Sequence, residues 1–316
     1  MALGWKHFRV AALAAAGLLL QPQAALAAEP DALRLIDLVS EFDKVALETV
    51  GMDDQARVAA FEKAMTPLAE GFYARSRKPD RYDTRVLKTL QAYPAKRDKI
   101  LAVSRQFSAL LGPARASFEK EFGPVHSEQP VYLLHSLGEM DGGTRDLNGK
   151  DTLIFGADGI VNYHDGQDLT PFFHHELFHL GHEKPFGECK PVWCSLWEEG
   201  LATYIAASLN PAAGDAALML DLPKPIRPPV DANRKGAVCA VRAVLNSTEE
   251  KDYASLFYGN ASIPGWPSRM GYYVGYLAMV DLGRTHSLKQ LADMRQADAH
   301  AALEGALDRM ADCNAA

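Results

Sequence analysis

Two histidines four residues apart, with a glutamate beside the first, make up His175-Glu176-Leu177-Phe178-His179, the strongest chemical pattern in this 316-residue sequence. On a helix, side chains at i and i+4 stack one turn apart on the same face, so His175 and His179 can grip a single cation. Glu176 then stands next to that cation, placed to take a proton from an activated water. Zinc suits such a set, because catalytic zinc sites use three protein ligands and leave a fourth position for water. A third ligand is offered by the next predicted helix, through Trp197-Glu198-Glu199-Gly200-Leu201-Ala202-Thr203-Tyr204. Ser195 and Glu198 have the spacing of a capping box, with Glu198 reaching back to the Ser195 N–H. That assignment leaves Glu199 for the metal. Gly200 is predicted to let this helix approach the His175–His179 helix closely, and Thr203, one turn past Glu199, to hydrogen-bond a ligand. His174 and His182 are left over once three ligands are assigned, and are expected at the surface or behind the ligands.

These side chains need a scaffold. Leu35, Leu38, Val39, Phe42 and Val45 recur at helical spacing, as do Val58, Phe61, Met65 and Leu68, with Asp53 as the N-cap of the second helix. Pro94 is predicted to open a further helix that runs through Leu111 and stops at Gly112-Pro113. Short apolar runs at 131–134 and 152–155 read as strands of a small sheet within residues 130–165, with Gly142-Gly143-Thr144 between them. The metal helix is predicted over 170–183, with Thr170 as N-cap and Pro171 at the first helical position. Further helices are predicted over 196–209, 236–247, 268–283 and 287–312. The fold class is α+β and mostly helical, divided into residues 28–125 as an N-terminal helical region and 126–316 as the domain that carries the chemistry.

Lys6 and Arg9, the apolar run Val10 to Leu20, and Ala25-Leu26-Ala27 have the layout of a signal peptide over residues 1–27. The mature chain would be exported, periplasmic or secreted, and no later stretch is long and apolar enough to span a membrane. In an oxidising compartment four cysteines imply two disulfides. Proximity favours Cys189 with Cys194, which leaves Cys239 with Cys313 to tie the C-terminal helix to the body. With 33 Lys and Arg against 40 Asp and Glu, net charge −7, the chain lacks the basic footprint of a nucleic-acid binder.

His175-Glu176-x-x-His179 followed by Glu199-Gly200-Leu201-Ala202-Thr203-Tyr204 resembles the gluzincin group of zinc metallopeptidases, most closely the bacterial predicted zinc-dependent proteases that share only these core motifs. The aminopeptidase branch carries Asn where this chain has Glu198. The resemblance implies a zincin-like fold, a small sheet followed by the metal helix and a C-terminal helical lobe. It also implies a peptide or protein substrate, and a Tyr or His from that lobe that stabilises the oxyanion. Ser268-Arg269-Met270-Gly271-Tyr272-Tyr273-Val274-Gly275-Tyr276 is the best candidate segment, with Arg269, Tyr272 and Tyr276 on one predicted helix face. Either Tyr272 or Tyr276 fits the role, and an aromatic core stripe fits the same spacing. Arg269 would meet a substrate carboxylate or Glu198. A strand near Leu153 to Gly156 would align the substrate backbone. The competing reading is an envelope zinc- or peptide-binding module with little or no turnover.

Overall fold

The computed structural model describes residues 33–313, apart from the side chains of Glu183 and Lys184; the signal-peptide expectation for 1–27 lies outside them. The chain begins with strand β1 (Leu35–Asp37) and helices α1 (Val39–Glu48), α2 (Asp54–Met65), α3 (Glu70–Tyr73), α4 (Tyr82–Ala92) and α5 (Arg97–Phe122). Strands β2 (Val131–Leu134), β3 (Gly142–Asp146) and β4 (Asp151–Gly156) follow, then α6 (Ala157–Tyr163), α7 (Thr170–Phe186) and α8 (Val192–Leu209). The C-terminal helices are α9 (Arg227–Ala232), α10 (Arg234–Arg242), α11 (Glu250–Phe257), α12 (Met270–Leu282), α13 (Leu288–Ala292) and α14 (Gln296–Met310). The molecule is thus mostly helical, with a small mixed sheet ahead of the long helices, a zincin-like arrangement.

Leu35 belongs to a strand rather than to the predicted helix. β1 pairs in parallel with β2, Leu35 opposite Val131. A long-range ladder therefore overrides the local helical spacing. Asp37 ends the strand by accepting the Val39 N–H at 2.9 Å and the Ser104 hydroxyl at 2.6 Å, which launches α1. α2 starts as predicted, with Asp53 accepting the Ala56 N–H at 2.8 Å. α5 does not stop at Gly112-Pro113 but carries Pro113 inside it. Phe107, Leu111, Ala114 and Phe118 are all buried along that helix. Burial of such a stripe outweighs the roughly 3 kcal/mol that an internal proline costs.

The sheet order is β1-β2-β4-β3, with β2 parallel to β4 and β3 antiparallel to it. Gly142 to Asp146 therefore form a strand of their own, and that strand is one of the two edges, opposite β1. β4, the segment expected to meet substrate, is interior. Its Phe155 joins Phe107 of α5 (5.1 Å between ring centroids), Phe172 (5.6 Å) and Phe173 (5.4 Å) of α7. These four rings seat the metal helix on the sheet and on α5.

α8 starts earlier than its local sequence suggests. Val192 and Trp193 donate their N–H groups to the carbonyls of Ser247 (2.9 Å) and Leu245 (2.8 Å), so a distant turn satisfies the start of the helix. Ser195 lies inside α8, and the Ser195–Glu198 capping box does not form. Gly200 also has a different neighbour from the expected one. A Cβ there would come within 2.5 Å of the Gly275 backbone, and a Cβ on Gly275 within 2.5 Å of the Leu196 carbonyl. The glycine pair lets α8 and α12 touch backbone to backbone; the close approach is to α12, not to the metal helix. Disulfides join Cys189 to Cys194 and Cys239 to Cys313, as proximity suggested. α6 and α11 carry no strong local signal, and the single helix predicted over 287–312 is split into α13 and α14.

Gly200→Ala forces a methyl group into the facing backbone, with no flexible side chain able to yield. We predict a loss of about 1–3 kcal/mol, read as a lower urea midpoint; an unchanged midpoint would mean that α8 and α12 can separate freely.

Candidate metal centre

α7 is held at its start by Asp168, whose carboxylate accepts both the Thr170 N–H (2.9 Å) and the Thr170 hydroxyl (2.7 Å). Thr170 is thus the first residue of the helix rather than its cap, and the side chain that satisfies the helix start is that of Asp168. From this helix His175 and His179 present their Nε2 atoms 3.2 Å apart. Glu199 Oε2, from α8, lies 3.1 Å from the first and 3.5 Å from the second. Tetrahedral zinc with bonds of about 2.0–2.1 Å separates its ligand atoms by roughly 3.3 Å. The three atoms already form one face of such a tetrahedron. Two neutral imidazoles and one carboxylate are also donors zinc accepts. Among the described residues this is the one cluster of three metal-ligating side chains.

The site lies in a dry setting. His175, Glu176 and His179 are buried, while the Glu199 side chain keeps 20% of its exposure. Burial lowers the basicity of His175, against the pull of Glu199, so its imidazole stays neutral and able to bind metal. Burial opposes the charge on Glu199 too, but the His179 and His175 imidazoles outweigh it and hold its carboxyl well below the usual range. Glu176 responds in the opposite direction. Burial pushes it up to about 8; His179 and Arg145 pull down, while Asp141 and Glu199 push further up. Neighbouring carboxylates with opposite shifts divide the work, one fit to ligate and one to exchange a proton.

Tyr272 borders the centre, its ring stacked 6.3 Å from His175. Burial and Glu199 raise its pKa, so the phenol keeps its proton and remains a donor. Tyr276 points into a different group, with Tyr273 (5.8 Å), Tyr204 (6.1 Å) and the Arg227 guanidinium (5.8 Å). Arg269 precedes α12, in the left-handed region at φ 61°, rather than lying on its face. Its guanidinium donates to the carbonyls of Met219 and Leu222 (both 3.3 Å) and covers the Tyr272 ring at 4.5 Å. Arg269 thereby braces the tyrosine. Thr203 donates to the main-chain carbonyl of Glu199 at 2.8 Å, not to its carboxylate.

His174 and His182 are buried, not at the surface. His174 Nε2 contacts Ser117 Oγ (2.8 Å) and the Ala114 carbonyl (3.0 Å), and its Nδ1 contacts Asn210 Nδ2 (2.8 Å). It therefore pins α7 to α5 and to the end of α8.

Three neighbours of the site were not foreseen. Asp141, ahead of β3, pairs with His164 at 2.9 Å and acts on Glu176. Arg145 on β3 acts on Glu176 and on Tyr253. Tyr253, on α11, continues a line of rings out of the centre: Tyr272 to Phe257 at 5.7 Å, Phe257 to Tyr253 at 5.1 Å, and Tyr253 to the exposed Tyr258 at 5.4 Å. No local spacing marks them; a tyrosine in a short helix reads as packing until the fold brings it within the field of Glu199.

The centre resembles an HExxH…E zinc-binding motif in both residue types and geometry. No protein-family model matches the chain, and neither a curated protein nor a solved structure matches it.

Buried histidines also set an acid limit. His182 is pushed down to about 3 by burial, with His179 acting in the same direction. Between about pH 6.5 and pH 3 the unfolded chain therefore binds a proton there that the folded chain refuses, so stability falls as pH drops. The His182 share approaches about 4 kcal/mol at the acid end. His182→Leu should flatten the pH dependence of the denaturation midpoint across this window; an unchanged slope would contradict the assignment.

Proposed function

We propose that this chain is an exported zinc-dependent peptidase of gluzincin type. The observation that carries the reading is the triangle of His175 Nε2, His179 Nε2 and Glu199 Oε2, 3.1–3.5 Å on each side, with buried Glu176 beside it. Zinc bound to these three atoms supplies a Lewis acid that makes a water acidic near neutral pH.

With zinc held by His175, His179 and Glu199, Glu176 would take the proton of the attacking water as its oxygen adds to the peptide carbonyl, and would return that proton to the departing amine. Water and one amide bond are consumed; a carboxylic acid and an amine leave. Burial suits Glu176 to both halves of this exchange, because its carboxyl binds a proton more tightly than an exposed one. Negative charge gathers on the former carbonyl oxygen, and the Tyr272 phenol is the neutral donor that meets it. Arg269 keeps that ring in place. Tyr276 faces another cluster, so between the two tyrosines Tyr272 takes the role. The free side of β3 offers main-chain N–H and C=O groups to an extended substrate, replacing β4 in this reading.

Two disulfides fit folding outside the reducing cytoplasm. No helix among the described residues is long and apolar enough to cross a membrane.

Protein purified without added metal should retain zinc, and Glu199→Ala should weaken zinc binding by more than about 100-fold. Glu176→Gln should keep the metal and lower hydrolysis of a peptide library by about 10²–10⁴-fold. Tyr272→Phe should lower kcat by about 10²-fold with KM little changed. Zinc-loaded protein that cleaves no library member, or a Glu176→Gln variant as fast as the parent, refutes the peptidase reading.

A further inference from the structure

Arg145 differs from the other charged groups around the metal centre in that no acid neutralises it. Its guanidinium forms no ion pair among the described residues, and donates from Nη1 to the Thr144 carbonyl at 2.7 Å. The strand ladder shows which way that carbonyl faces. At one end of β3 the Gly156 N–H donates to the Asp141 carbonyl at 2.8 Å, and at the other the Leu147 N–H donates to the Lys150 carbonyl at 2.9 Å. Main-chain groups of an antiparallel strand alternate between the partner strand and the open side. Gly143 and Arg145, in step with Asp141 and Leu147, therefore turn their N–H and C=O groups to β4. Thr144 turns its own to the free edge of the sheet.

The guanidinium is thus folded back over an outward-facing acceptor of the free edge. Gly143 makes room for it: the residue lies at φ 140°, and a Cβ there would come within 3.2 Å of Arg145 Nη1. The Arg145 charge favours the ionised form of Glu176 on α7, and of the Tyr253 and Tyr258 phenols at α11 and just after it. The cation therefore belongs to the surroundings of the metal centre, although it touches none of the three ligands. An extended chain that pairs with Thr144 meets the guanidinium at the same place. A carboxylate there receives two parallel N–H groups from the planar fork, which a neutral group cannot match. A charge on an edge strand also deters unwanted strand pairing, but that role alone gives no preference between a charged and a neutral peptide.

We propose that Arg145 makes the site selective for peptides that carry a carboxylate where their chain meets the free edge of β3. The carboxylate is the peptide's own C-terminus or the side chain of an Asp or Glu. The inference rests on the peptidase reading for the reaction, whereas the recognition it assigns is measurable by binding alone.

Calorimetric titration of the zinc-loaded Glu176→Gln protein with library peptides made in matched pairs tests this without turnover. One set of pairs compares a C-terminal acid with the C-terminal amide. The other compares an internal Asp or Glu with Asn or Gln, both under a C-terminal amide. We expect the charged member of one set to bind about 10- to 100-fold more tightly than its neutral twin, and the set that shows the preference identifies the source of the carboxylate. Adding Arg145→Gln should bring that ratio to about 1, and Arg145→Glu should reverse it, with zinc content unchanged in both. Arg145 is exposed, so neither substitution disturbs a packed core. Equal affinity within every pair, no binding of any peptide, or a ratio that survives Arg145→Gln overturns the proposal. Carboxylate-selective binding that persists while the wild-type chain hydrolyses nothing refutes the peptidase reading alone.

Discussion

A carboxylate oxygen and two imidazole nitrogens, all electron-rich, are held within 3.5 Å of one another at a largely buried point. Left to themselves these groups would turn towards water, because each loses hydration and their lone pairs face one another. They converge because two helices are fixed rigidly enough to leave little freedom. Much of the surrounding structure can be understood as the means by which α7 and α8 are kept from rotating or drifting apart.

Each helix is restrained by a different device. α7 is seated through the ring cluster of Phe107, Phe155, Phe172 and Phe173, and is pinned from behind by His174, which reaches Ser117, Ala114 and Asn210. α8 is fixed by its backbone contact with α12 at Gly200 and Gly275, by carbonyls from residues 245 and 247 at its start, and by the Cys189–Cys194 link that ties its first turn to the preceding loop. α12 in turn carries Tyr272. The glycine contact therefore positions Glu199 and Tyr272 in one step: the residue next to Glu199 touches the residue three beyond Tyr272.

The same burial acts on each titratable group according to its neighbours. Glu199, facing two imidazoles, stays ionised, whereas Glu176, facing Asp141 and Glu199, is driven towards its protonated form. Two carboxylates of one chemical type thus acquire opposite shifts without any difference in side-chain length. His182 lies beyond this balance. It shares the helix but is enclosed between Phe178 and Phe186, where no side chain among the described residues meets its nitrogens.

The candidate metal triad was legible in the sequence because helix geometry alone brings i and i+4 together, and because few residue types bind zinc. His175, Glu176 and His179 required nothing more. Glu199 was chosen through a capping box that does not form, since tertiary carbonyls begin α8 a turn earlier than local signals indicate, and the fold nevertheless brings it to the two imidazoles. The strands at 131–134 and 151–156 were visible as apolar runs, and Asp53 as a cap. β1 was not, because its hydrogen bonds come from a strand almost a hundred residues away. The division between Tyr272 and Tyr276, the bracing role of Arg269, and the placing of Tyr253 and Arg145 beside the centre follow from how helices cross and which strand lies at the edge. Local periodicity determined which side chains share a face; only the packed chain decided what that face meets, because close approach, burial and charge arise between segments that do not adjoin in sequence.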